Sequence, residues 1–181
     1  MPLALFKRSR SQANIAALYG VIVAQARQRV FYADYGVPDT LAGRFDMIVL
    51  HLALVLRRLR ADGESGRQIG QSVFDAFCTD MDNNLRELGI SDVGVPRRMR
   101  RFGEAFYGRA EAYDNALNAA GDDLLTEALR RNVFSEEAAG KPERLARYVR
   151  ESERGLRGGA TESIACGDVR FPDAAEFTVR S

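Results

Sequence analysis

With 181 residues, 46% of them hydrophobic and 28% charged, the chain can bury one sizeable core and is too apolar for intrinsic disorder. A net charge of +1 supplies no overall field toward nucleic acid or anionic lipid. Two cysteines, Cys78 and Cys166, cannot build a disulfide framework, so a reducing compartment is expected.

The chain opens "MPLALFKRSRSQ". Its apolar run is too short for a secretory signal. Residues 1–10 are expected to form a flexible basic segment, solvated or touching lipid head groups. Ile15, Leu18, Tyr19, Ile22, Ala26 and Val30 then recur at helical spacing and predict a first helix over 11–33. "DYGVPDT" breaks it, because Gly36 and Pro38 cannot continue a helix. Asp39 or Thr40 can cap the next one.

That next helix carries "MIVLHLALVLRRLR" at 47–60. A membrane-spanning helix needs roughly 20 consecutive apolar residues. The run here stops at Leu56, before Arg57, Arg58 and Arg60, so a transmembrane span is excluded on length. Phe45, Ile48, Val49, Leu52, Leu56 and Leu59 share one face, the usual core stripe. Met47, Leu50 and Leu54 lie opposite. A helix apolar nearly all round is either central in a bundle or covered by a partner. His51 sits on the flank, where a satisfied boundary residue is the ordinary reading.

"ADGESG" ends this helix, and a third runs over about 68–88 with Phe74, Phe77, Cys78, Met81, Leu85 and Leu88 as its stripe. "GISDVGVP" is a turn, with Pro96 in the first turn of the fourth helix, where its missing N–H costs nothing. Val95, Met99, Phe102, Phe106, Ala110, Tyr113 and Leu117 make that helix's apolar side, to about residue 120. Gly121 stops it. Asp122 or Asp123 starts a fifth helix, "LLTEALRRNVF", and "PERLARYVRESERGL" is a sixth. From Gly158 the chain is Gly-rich and then extended or irregular. Without β alternation or repeats, the expectation is an all-α, single-domain bundle of about six helices over 11–157, with an irregular tail over 158–181. Short connections make neighbours run mostly antiparallel.

Catalytic signals are weak. A Ser–His or Cys–His site would have to use His51, inside an apolar helix. The chain cannot supply the two Glu-x-x-His pairs of a di-iron bundle. It has no cysteine pair at zinc spacing. No cofactor or metal is therefore expected. Asp80 and Asp82 look like a DxD metal motif but fall about 160° apart on a helix. Asp75, Asp82 and Arg86 do share a face, either a solvated one with an i,i+4 pair or a polar recognition surface. "VPRRMRRFGEAFYGRAEAY" mixes arginines with aromatics, a pattern that can bind single-stranded nucleic acid. Its Phe102, Phe106 and Tyr113 fall on the core stripe, so they are not free to stack on bases. Tyr107 stands beside Arg109, which lies at the edge of that stripe and needs a carboxylate or carbonyl partner.

The strings "LYGVIVAQAR", "FYADYGVPDT", "GRFDMIVLHLALVLRRL", "FDAFCTDMDNNLRELGISDVGVPRRM" and "FYGRAEAYDNAL" occur in order over 18–117. Together they resemble the ubiquinol–cytochrome c chaperone family of respiratory complex III assembly factors. The resemblance implies an all-helical, non-enzymatic chaperone that holds newly made cytochrome b, working with a small partner subunit and the ribosome. Its characteristic strings map onto Asp80, Asp82, Leu85, Arg86 and Glu87, and onto Phe106, Tyr107, Gly108 and Arg109. Without a long N-terminal targeting extension, the chain resembles the bacterial members. Its expected place is cytoplasmic, with peripheral contact at the inner face of the membrane and no DNA partner. The residues expected to bind a partner are Met47, Leu50, Leu54, Arg57, Asp82, Arg86, Tyr107 and Arg109. Two other readings stand beside this one: a Mg²⁺-dependent all-α lipid or isoprenoid enzyme using Asp80 and Asp82, and an RNA- or ribosome-contacting protein using the arginines of 97–101.

Overall fold

A computed structural model of the chain describes residues 2–92, 94–134 and 140–177, with side chains from residue 11 onward. The described residues form eight α-helices: α1 Pro2–Ala26, α2 Arg29–Ala33, α3 Leu41–Arg60, α4 Gly63–Glu87, α5 Gly94–Asn118, α6 Asp123–Val133, α7 Pro142–Arg157 and α8 Thr161–Ala165. A 3₁₀ turn, Ala174–Phe177, follows. The expected all-α bundle is what forms.

The centre of the bundle is α3, which packs against α1, α4, α5, α6 and α7. Thr40 caps its start, its hydroxyl accepting from the Gly43 N–H at 3.1 Å. Every residue from Met47 to Val55 is buried, so both faces of the helix are covered from within the chain. That includes His51, whose side chain is fully buried rather than at a boundary. Its Nδ1 lies 2.8 Å from the Met47 carbonyl, which can only accept, so Nδ1 carries the proton. Nε2 then accepts from the Tyr148 hydroxyl at 2.8 Å, and that hydroxyl accepts from Gln25 Nε2 at 2.9 Å. One chain of hydrogen bonds thus ties α1, α3 and α7 together.

Two boundaries differ from expectation, each for a physical reason. The first helix is two, because Gln28 leaves the helical region at φ −60°, ψ 130°. The break lets the Tyr32 hydroxyl donate to the Ala26 carbonyl at the end of α1 and turns Phe31 into the core. Helix α4 begins at Gly63, inside a stretch that reads as a loop. Gly63 makes the turn at φ +68°, which favours glycine. Gly66 lets α4 pass against α3: a Cβ there would stand 2.0 Å from the Leu59 carbonyl oxygen. The glycines of "ADGESG" serve close packing, which a one-dimensional pattern reads as chain breaking.

The tail is mostly irregular, as expected, and it is packed. Helix α8 packs on α1, and Ile164 and Ala174 are buried. The Tyr35 hydroxyl donates to the Ala174 carbonyl at 2.7 Å. Phe171 lies 5.2 Å from the His51 ring and Phe177 6.0 Å from the Tyr148 ring. The segment lacks long helix yet is packed over the central hydrogen-bond chain. Residues 178–181 lie outside the described part. At the other terminus, α1 runs through most of the stretch expected to be flexible.

Gly66→Ala should lower stability by about 1–3 kcal/mol in urea unfolding, from overpacking against the Leu59 carbonyl. Gly20→Ala, with nothing within 4 Å of its Cβ, should be neutral or stabilising. A second expectation concerns pH. Burial lowers the His51 pKa to about 4, below the ordinary histidine value. The unfolded chain therefore takes up this proton first. The contribution is complete above about pH 6.5 and is lost as pH falls toward 4. In a pH series of urea unfolding, His51→Gln should flatten that limb.

Candidate partner-binding surface

The eight residues expected to bind a partner fall into four groups. Met47, Leu50 and Leu54 are 0%, 0% and 1% exposed. The partner face expected there is core, because α3 is enclosed by five other helices rather than lying at the bundle surface.

Arg57 and Arg109 hold helices together. The Arg57 guanidinium donates to Asp114 Oδ1 at 2.8 Å and Asn118 Oδ1 at 2.7 Å, joining α3 to the end of α5. Arg109 Nη2 pairs with Asp46 Oδ1 at 2.9 Å, joining α5 to the start of α3. Arg109 Nε and the Tyr113 hydroxyl, also buried, have no hydrogen-bond partner among the described residues. Burial pushes the Asp46 carboxyl up to about 6, against the pull of Arg109.

Asp82 and Arg86 stay at the surface as an i,i+4 pair at 2.6 Å, and Arg86 also reaches Asp92. Asp80 is turned elsewhere and accepts from the Tyr19 hydroxyl of α1 at 2.8 Å. The two carboxylates answer different partners and share no focus. Among the described residues no three His, Cys, Asp or Glu side chains gather at metal-binding distance.

Tyr107 remains, 63% exposed. Its ring packs at 5.7 Å from Phe74 and 5.5 Å from Phe106. These three aromatics line a groove of about 280 Å³ between α4 and α5, with Leu56, Ala110, Gly66 and Gly70. Arg60, Arg67 and Gln71 stand on its rim. Beside the groove, buried Gly70 lets α4 lie close against α3: a Cβ there would stand 3.3 Å from the Leu56 side chain. The α4 glycines were missed as site residues, since a glycine without a motif carries no signal of a groove until its neighbour is known. An aromatic anchor beside small residues, with a polar rim, is the composition of a protein contact surface.

A sequence profile of the ubiquinol-cytochrome C chaperone family matches residues 33–171, which include α3 to α7 and the whole groove. The chain belongs to the ubiquinol–cytochrome c chaperone family. The crystal structure of the Cbp3 homologue from Brucella abortus superposes with a TM-score of 0.85 at 39% sequence identity. That match covers 97% of this chain and 99% of the other. Ubiquinol-cytochrome-c reductase complex assembly factor 1 of Xenopus laevis is 28% identical over 149 residues, 80% of this chain and 74% of that protein. The mouse assembly factor 1 is 25% identical over 180 residues, and the chain spans 61% of its length. In this family member no described helix is long and apolar enough to cross a membrane.

The Asp46–Arg109 pair gives the surface its test of integrity. A folded pKa above the ordinary carboxylate value means that ionised Asp46 costs stability above about pH 6, and that the cost is relieved as pH falls toward 4. Arg109→Met strands the carboxylate and should lower stability by about 2 kcal/mol at pH 7.5, with a smaller deficit at pH 5. Asp46→Asn should cost less than Arg109→Met at pH 7.5. Urea unfolding of the two variants at both pH values checks this.

Proposed function

We propose that this chaperone-family chain is a non-enzymatic assembly factor for respiratory complex III, which binds and shields newly made cytochrome b. The proposal places it in the cytoplasm and at the inner face of the membrane. The resemblance adds a small partner subunit and the ribosome to this setting.

The observation that carries the reading is the α4–α5 groove, where an exposed tyrosine meets apolar small-residue ground. A client that is itself a set of apolar helices needs a receiver that buries greasy surface without spanning the membrane. Apolar area removed from water contributes roughly 25 cal/mol per Å². Helix-in-groove docking uses this geometry. Tyr107 is the natural anchor, because its ring is exposed to a partner while its edge packs on Phe74 and Phe106.

The test is capture of newly synthesised cytochrome b by the tagged, full-length chain. Tyr107→Glu should reduce capture by about tenfold or more, the scale of a lost aromatic anchor. Its thermal unfolding should match the parent, since the side chain is mostly in solvent. Deleting the gene should also reduce the b-type cytochrome spectrum of complex III in membranes. Undiminished capture by Tyr107→Glu would remove the groove from the proposal. An unaltered spectrum would remove complex III.

A further inference from the structure

Helix α5 turns outward a stripe that the fold leaves unanswered. Arg97, Arg101, Glu104, Gly108, Glu111 and Asn115 recur at steps of four and three residues, so they share one face of the helix. All six are exposed. The four charged members have no ion-pair partner among the described residues. On other helices, carboxylates and arginines one turn apart close on each other, as Asp82 does with Arg86 and Glu153 with Arg157. The stripe is also polarised. Its two arginines stand toward the N-terminus of α5 and its two glutamates toward the C-terminus.

The stripe borders a groove of about 340 Å³ between α5 and α6. Gly108, Ala112, Ala116 and Ala128 line it, together with Leu124, which is 61% exposed. At Gly108 the helix presents bare backbone, and a Cβ there would meet nothing within 4 Å. Residues this small let another helix approach toward the near end of the usual spacing of about 8–10 Å between axes. The ridge of α5 divides this groove from the one that holds Tyr107.

We propose that a second copy of this chain docks on this face, with the two α5 helices antiparallel. A two-fold interface uses the same patch twice, so that residue i meets j and j meets i. In the antiparallel register centred on position 106, Arg101 faces Glu111 of the second copy, and Glu111 faces Arg101 of the second copy. Glu104 then lies over the bare backbone at Gly108, and Arg97 stands opposite Asn115, whose side-chain carbonyl can accept from it. A parallel alignment would set each arginine and each glutamate against its own kind, which is destabilising. The stripe holds two charges of each sign, so it suits a surface polarised like itself better than a polyanion. One pair of helices with a narrow apolar border makes a small contact, so the dimer belongs to the weak, reversible class. The inference does not rest on the identity of the client.

Sedimentation velocity of the full chain, from roughly 1 to 200 μM, tests it. The mean mass should climb from monomer toward dimer with concentration, and the association should weaken as salt rises. Arg101→Glu alone and Glu111→Arg alone each set like charges opposite one another and should raise the dissociation constant by about tenfold or more. An equimolar mixture of these two variants should dimerise, because both contacts across the mixed pair are attractive again. The double variant, Arg101→Glu with Glu111→Arg, should associate as the parent does. Both positions are exposed, so circular dichroism should show parental folding; Arg101→Gln and Glu111→Gln replace any reversal that fails to fold, and each should weaken association several-fold. A monomer at every concentration would overturn the proposal. So would association indifferent to both charge reversals, or a mixture and a double variant that stay monomeric.

Discussion

His51 sits in the middle of α3 with no water to bond, so both ring nitrogens must be satisfied from inside the protein. One is met by its own helix and the other by Tyr148, which Gln25 holds in turn. Meeting that demand fixes where α1 and α7 stand relative to α3. Phe31, Phe171 and Tyr148 then close around the ring. A helix that is apolar on two faces can be stable in water only if it is enclosed. Here α2, α7 and the tail complete the enclosure that α1, α4 and α5 begin. The neutral histidine is the polar residue that gives this greasy centre a single register.

Arginine does the corresponding work at the helix ends. Arg58 donates to carbonyls at the end of α7, and Arg150 donates to the Leu117 carbonyl in the last turn of α5 and to the Gly121 carbonyl beyond it. Cations at helix C-termini satisfy carbonyls that lack an intrahelical partner and complement the dipole. With the helix ends locked and the middle of α3 shut, the apolar ground left for another molecule lies outside, where α4 narrows to glycine against α3 and Tyr107 overhangs the gap.

Much of this was legible in the sequence. The helical stripes of α1, α3 and α5 identify the buried positions, because a 3.6-residue period is a local property. The need of Arg109 for a partner was also legible, since a charge beside an apolar stripe must be answered; that the answer is Asp46 is a matter of tertiary distance. The fate of Met47, Leu50 and Leu54 was not legible. An all-round apolar helix has the same pattern whether its second face meets a partner or its own chain. How the irregular tail packs was not legible for a related reason: it is anchored by single contacts, such as Tyr35 to Ala174, with no periodicity to announce them. That Gly66 and Gly70 face Leu59 and Leu56 is defined only by the folded pair of helices.

A family member that receives its client on the outside should keep α3 closed while it does so. Amide hydrogen exchange of the full chain, with and without bound cytochrome b, measures this directly. Binding should leave α3 as slowly exchanging as in the free protein and should slow exchange along the facing turns of α4 and α5. Faster exchange in α3 on binding, with protection appearing around Met47, Leu50 and Leu54, would mean that the bundle opens and that its core is the client site.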